Sequence, residues 1–240
     1  MPDVPIEAVI FDYGGVISVS PFARLAAAEA SLGLGAGTLA QLLGYGVDVA
    51  EPAPGEPYTN KWHLLEIGAI ELPEYAAWVQ ERSADVFGRP VDFARRMNDG
   101  VDAMGIHWMV VQEIGRLRTD GYKLAICSNN IAAYRDAWQR QFPIEWFDAV
   151  VDSSEVGVRK PDPAIYRLTA ERLDVPPAAC AFLDDHPGNV AGAVAAGMAG
   201  VLVDDPWTAI SDLRALLIAR APSGPAPAAP RSSTPAPPSS

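Results

Sequence analysis

Cysteine is scarce in this chain. Cys127 and Cys180 are the two among 240 residues, each inside an apolar run, and both are expected to be buried small hydrophobes rather than a disulfide or a metal pair. Basic clusters are missing as well. No run of Lys and Arg exceeds a pair, and 30 acidic against 18 basic residues leave a formal net charge of −12. That balance argues against nucleic acid or an anionic membrane surface as a partner. No apolar run approaches the roughly 20 residues of a membrane-spanning helix. The opening MPDVPIEAVI has neither the basic start nor the apolar stretch of a signal peptide, so a cytoplasmic location is the expectation. No internal repeat is evident, and nothing in the chain signals an oligomeric state.

What is present suffices for a real core. Apolar residues make up 49% of the chain, which suits one large domain or one domain carrying an insert. A short apolar run over 7–11 delivers Asp12 and then breaks into Gly14 and Gly15, the pattern of a buried strand opening into a turn. Helical spacing of apolar residues covers Phe22–Leu32, with Gly33 and Gly35 as stops. It resumes over Thr38–Leu43, Tyr58–Ile67 with Gly68 as a stop, Pro73–Phe87, Val91–Asn98 and His107–Arg118. The Pro-rich stretch Asp48–Pro57 reads as a loop, and no strand signal interrupts Phe22–Ile106.

Thereafter strands alternate with helices. Strands are expected over Lys123–Cys127, Ala149–Val151, Ala179–Leu183 and Val201–Val203. Helices are expected over Ile131–Phe142, Pro161–Leu173, Pro187–Ala196 and Pro206–Arg220. This alternation predicts an α/β fold, a Rossmann-like parallel sheet with helices on both faces. The first strand belongs to that sheet, so the helical block is an insertion. The expected organisation is a core of 1–20 and 107–220, a helical cap over 21–106, and a tail over 221–240. The tail is nearly all Pro, Ala, Ser, Thr and Gly with Arg231 as its single charge. Such a composition cannot offset ordering entropy and is expected to be disordered.

Four polar clusters fall at strand ends or in the loops between them: Asp12, Ser128, Lys160 in GVRKPDPAIY, and Asp184-Asp185 in FLDDHPGNVAGAVAAGM. In a parallel sheet the carboxyl ends of the strands converge on one crevice. The converging set is two or three carboxylates, a hydroxyl and an ammonium. Carboxylates crowded together raise one another's pKa, and a hard divalent cation resolves the conflict; oxygen-only ligands suit Mg²⁺. Ser128 and Lys160 are then free to hold an anionic group. Mg²⁺ beside an anion site and a carboxylate nucleophile is the equipment of phosphoryl transfer.

These segments carry a family resemblance. FDYGGVIS at Phe11–Ser18, LAICSNN at Leu124–Asn130, GVRKPDPAIY at Gly157–Tyr166 and FLDDHPGNVAGAVAAGM at Phe182–Met198 resemble, in order, the motifs of the haloacid dehalogenase (HAD) superfamily. WHLLEIGAIELPEY at Trp62–Tyr75 is similar to the helical cap that one branch inserts after the first strand. Resemblance spans about 6–207. It implies that Asp12 attacks phosphorus and becomes an aspartyl phosphate that water hydrolyses. It further implies that Gly14 offers its carbonyl to Mg²⁺ and that Ser128 and the Asn129 amide bind phosphate. Lys160 would neutralise the phosphoryl charge and steady Asp12. Asp185 would be the nearest acidic Mg²⁺ ligand, with Asp184 beside it directly or through water, and Asn189 would orient that loop. The substrate class implied is a small phosphorylated metabolite.

Each residue also has a plainer role open to it. Ser128 can cap the following helix, Lys160 can be a solvated surface lysine, and Asn189 can satisfy backbone groups. His186 can be an exposed loop histidine or touch substrate. Lys61, Trp62, His63 and Glu66 are expected to pack the cap or face solvent. One departure from the family pattern stands out: phosphatases of this superfamily usually carry a second aspartate two residues after the nucleophile, and here that position is Gly14. A missing general acid/base costs about 10²–10⁴ in rate, less when the leaving group is a weak base. Three readings follow: a phosphatase whose proton transfers come from another group or from water; a metal-free 2-haloacid dehalogenase, which has little use for adjacent acids; and a non-catalytic module that binds a phosphorylated ligand or a partner protein.

Overall fold

The computed structural model describes residues 4–45, 52–53, 56–91 and 105–221. The helix expected over Val91–Asn98 (beyond its first residue), most of the 48–57 loop and the tail from 222 onward lie outside the described residues. Five strands form one sheet: β1 (Ala8–Phe11), β2 (Lys123–Ser128), β3 (Ala149–Asp152), β4 (Cys180–Asp184) and β5 (Ala199–Leu202), in the order β3-β2-β1-β4-β5. Every pairing is parallel. The α/β sheet expected from the strand–helix alternation is the sheet observed.

Alternation of side chains along each strand divides the core in two. Val9, Phe11, Leu124, Ile126, Ala181 and Leu183 face one layer, which α5 (Trp108–Thr119) and α10 (Pro206–Ala219) cover. Ala8, Ile10, Ala125, Cys127, Cys180 and Phe182 face the other, with α8 (Pro163–Leu173) and α9 (Pro187–Ala195) packed there. Burial on both faces explains why the strands read as continuous apolar runs. Cys127 and Cys180 are free and buried, the small hydrophobes that their surroundings suggested.

Between β1 and β2 lie α1 (Pro21–Leu32), α2 (Thr38–Leu43), α3 (Lys61–Glu66) and α4 (Leu72–Phe87). They enclose a separate cluster of Leu39, Leu42, Leu43, Leu65, Tyr75 and Val79. Gly33 ends α1 in the left-handed conformation, as its position suggested. The buried Glu29 accepts the amides of Gly37 and Leu39 at 2.8 and 2.6 Å, joining α1 to the start of α2. The Asn60 side chain caps α3, accepting from Trp62 and His63; the helix therefore starts three residues later than Tyr58.

Two local expectations fail. The helix expected over Ile131–Phe142 is a 3₁₀ turn over Ala132–Tyr134 followed by α6 (Arg135–Gln139); Pro143 bars continuation and disfavours helical geometry at the residue before it. A helix absent from the sequence reading, α7 (Ser153–Val156), follows β3, its first turn capped by Asp152. Among the described residues no helix is long and apolar enough to cross a membrane.

Candidate active site

Strand register aligns the polar residues at one sheet edge. Phe11 pairs with Leu183 on one side and with Ile126 on the other, so Asp12 stands level with Asp184 and next to the end of β2. The switch in strand order runs through β1, the place where open α/β sheets bind ligands.

Lys160 organises this edge. It is wholly buried, and its Nζ lies 2.8 Å from Asp12 Oδ1 and 2.6 Å from Asp184 Oδ2. The surface-lysine alternative is excluded. Burial opposes its charge, but Asp12 and Asp184 outweigh that and hold its pKa above the ordinary lysine value. The backbone of Lys160 is gripped on both sides by one side chain, Asn129. Its Oδ1 accepts the Lys160 amide at 2.8 Å and its Nδ2 donates to the Lys160 carbonyl at 3.0 Å. The Asn129 side chain thus serves Lys160, and only its main-chain amide is left for the phosphate role that the resemblance implies.

Asp12 is buried, its Oδ1 also accepting the Tyr13 amide at 2.7 Å. Burial raises its pKa, Lys160 lowers it, and Asp184 and Asp185 raise it again, to a value of about 7. Asp184 is fully buried and heavily used: its Oδ1 accepts from the His186 amide at 2.8 Å and Asn189 Nδ2 at 2.9 Å. Asn189 thus orients the acidic loop. Asp185 is freer, its Oδ2 accepting the Ser20 hydroxyl at 2.9 Å. Burial pushes its pKa up, the Ser20 bond opposes this, and Asp184 adds to the rise.

Carboxylate oxygens of Asp12, Asp184 and Asp185 lie within 4.8 Å of one another. Opposite ligands of an octahedral Mg²⁺ are about 4.2 Å apart, given bonds of about 2.1 Å, so the three lie near the spacing of a shared ion and would close slightly around it. Three carboxylates face one ammonium, an excess of negative charge that a divalent cation would offset. Gly15 makes room for the group. Its φ is +82°, and a Cβ there would fall 2.0 Å from Asp185 Oδ2. Gly14 is absent from the positive-φ glycines and bridges to Ser18.

Ser128 is buried at the end of β2. It does not cap the following turn, whose N-cap is Ile131 without a side-chain bond. His186 is half-buried rather than an exposed loop side chain; its Nδ1 accepts the Gly188 amide and caps α9. From the inserted helices, Lys61 forms an exposed pair with Glu74, Trp62 meets Tyr45 at a tilt and Tyr75 edge-to-face, and His63 is buried. Glu66 pairs with Arg159 across the interface at 2.7 Å.

Ser20 and Asp152 escaped the sequence reading, and Tyr45 is one of the cap aromatics that spacing cannot assign to core or pocket. Ser20 occupies an N-cap position, yet its hydroxyl serves Asp185 rather than α1. Asp152 is buried and takes Asn130 Nδ2 at 2.7 Å beside Arg135. Tyr45 packs against Trp62 within the inserted helices; burial pushes its hydroxyl pKa up, and the charges of Glu66, Asp185, Asp12 and Asp184 add to the rise.

Known proteins place this geometry. Residues 6–197 match a family model described as haloacid dehalogenase-like hydrolase. The chain is 30% identical over 216 residues to mouse (Mus musculus) acyl-CoA dehydrogenase family member 10, covering 88% of this chain and 19% of that protein. It is 29% identical over 148 residues to (S)-2-haloacid dehalogenase 1 of Pseudomonas sp. (strain CBS-3), covering 61% of each. The chain therefore spans between a fifth and three fifths of these relatives. A similar solved structure is an HAD family enzyme of Bacteroides thetaiotaomicron in complex with magnesium and inorganic phosphate. Its TM-score is 0.57 at 17% identity, with 85% of this chain and 98% of that one covered. Motif order, sheet topology and the family match agree: the chain belongs to the haloacid dehalogenase-like hydrolases.

Proposed function

We propose that this hydrolase removes phosphate from a small phosphorylated metabolite in a Mg²⁺-dependent reaction, with Asp12 as nucleophile. The observation that carries the reading is the buried Lys160 ammonium bridging Asp12 and Asp184, with Asp185 completing a three-carboxylate cluster. Asp12 attacks phosphorus and the ester oxygen leaves with its electron pair. Water then hydrolyses the aspartyl phosphate, releasing inorganic phosphate and the free carboxylate. Lys160 orients the Asp12 carboxylate and offsets phosphoryl charge, while Ser128 and the Asn129 amide bind the phosphate oxygens. Asp12, Asp185 and the Gly14 carbonyl would hold the cation, with Asp184 beside them, and the ion would offset charge on the carboxylates and on the phosphoryl group. The likeness to an enzyme solved with magnesium and phosphate supports this reading. The dehalogenase reading has the likeness to (S)-2-haloacid dehalogenase 1, but a metal-free site has little use for a second acid, Asp185, beside the Asp184 that Lys160 already holds.

Gly14 sets the expected substrate preference. Without a carboxyl two residues beyond Asp12, leaving groups that need no proton should turn over fastest, as in acyl, aryl and sugar 1-phosphates. A panel of phosphomonoesters, run with and without Mg²⁺, tests both points. The expected result is Mg²⁺-dependent phosphate release whose kcat/KM rises as leaving-group pKa falls. Halide release from a 2-haloacid without Mg²⁺, and no phosphate release, would replace the reading with the dehalogenase one.

A further inference from the structure

We propose that Glu66 is a positioning residue: from the last turn of α3 it ties both anion-side loops of the core to the inserted helices. The proposal rests on the phosphohydrolase reading for its consequence in catalysis. Glu66 is buried, and it is bonded to the core twice, through its side chain and through its carbonyl. The carboxylate Oε2 takes Arg159 Nε at 2.7 Å. Arg159 is the residue before Lys160, and its carbonyl accepts the Asp162 amide at 2.9 Å, closing the turn that holds Lys160. The Glu66 carbonyl accepts the Ser153 hydroxyl at 2.6 Å. That same Ser153 oxygen accepts the Asn130 amide at 3.0 Å, two residues beyond Ser128.

One cap residue therefore holds the 157–162 turn by its side chain and the 128–130 loop by its carbonyl. The helix end is seated tightly there. Gly68 has a φ of +68°, and a Cβ on it would lie 2.7 Å from the Ser154 carbonyl oxygen. A buried ion pair contributes little net stability compared with apolar packing, and fixing one geometry is its best-attested use. Lys160 must meet Asp12 within a few tenths of an ångström, and misplacement by about 1 Å can cost 10²-fold in rate. Undocking of α3 breaks both of these ties together, so the phosphate side of the site is held in full only with the cap seated.

The test uses the full chain. A Glu66→Gln/Arg159→Gln double variant removes both charges of the pair at once; Ser153→Ala cuts the other arm. Amide hydrogen exchange is read over 128–131 and 157–162, inorganic phosphate binding is titrated with Mg²⁺, and kcat and KM are measured on an aryl phosphate. We expect faster exchange over 157–162 in the double variant and over 128–131 in Ser153→Ala. The double variant should bind phosphate more weakly and lose about tenfold or more in kcat, with a smaller change in KM. Wild-type exchange in both variants overturns the proposal, as does wild-type kcat in the double variant. Glu66→Asp, which keeps the charge and shortens the side chain, decides the matter through exchange over 157–162 and kcat if the double variant does not fold. A wild-type protein that binds no phosphate would sink the functional reading instead, while exchange still decides the tie.

Discussion

Asp12 sits in a conflict that the fold creates and only partly relieves. Burial raises its pKa to about 7 despite Lys160 at 2.8 Å, against an ordinary value of 3.8. Without metal the folded protein thus holds a proton between these values that the unfolded chain has released, and its stability falls as pH rises through the interval. Metal-free Asp12→Asn should therefore melt higher than wild type above about pH 7, with the difference shrinking toward pH 4. A thermal-shift series over pH in the presence of a chelator reads this directly; a variant less stable than wild type throughout would contradict it. Added Mg²⁺ should raise the wild-type melting temperature and leave Asp12→Asn nearly unmoved, because metal binding requires ionised ligands. Gly14 is the other decisive residue. It lies outside the left-handed region that Gly15 occupies, so a side chain there meets no backbone penalty of that kind. Gly14→Asp should raise kcat/KM for alkyl phosphates by about 10²-fold or more, with little gain for aryl phosphates. Equal gains for both would show that proton transfer is not what the glycine removes.

Helix α3 shows how one element can serve packing and chemistry together. His63 lies in its middle; burial lowers its pKa and the Arg159 charge lowers it further, from 6.5 to about 4. Between those values the unfolded chain takes up a proton that the folded cap refuses. The His63 contribution is whole above pH 6.5 and is lost as pH falls toward 4. Denaturant midpoints measured across that interval should fall more steeply for wild type than for His63→Gln, and parallel curves would contradict the assignment. The strands work differently. Their apolar runs bury both faces, so their ends alone carry function, and the register of β1 with β2 and β4 brings Asp12, Ser128 and Asp184 to one edge.

Across the whole molecule, what was legible followed from local pattern. The ends of β1, β2 and β4 showed as apolar runs stopping at Asp12, Ser128 and Asp184, and motif order gave Lys160 its place among them. Contacts between distant segments left no such trace. Ser20 and Asp185 are separated by 165 positions, and Glu66 and Arg159 by 93, so nothing in either neighbourhood names its partner. Helix α7, at four residues, is too short to show a period, and the break in the helix after β2 depends on tertiary packing as well as on Pro143. Lys160 is the instructive case, since an isolated lysine in a loop reads as solvated until the sheet buries it between two carboxylates. The role proposed for Asp12 in the shared site is nucleophilic attack on phosphorus. Rapid acid quench of wild-type protein turning over an aryl phosphate with Mg²⁺, followed by mass spectrometry of the peptide containing Asp12, measures this most directly. A phosphoryl adduct on Asp12, absent in Asp12→Asn together with all turnover, is the predicted result; phosphate release that persists in Asp12→Asn would contradict it.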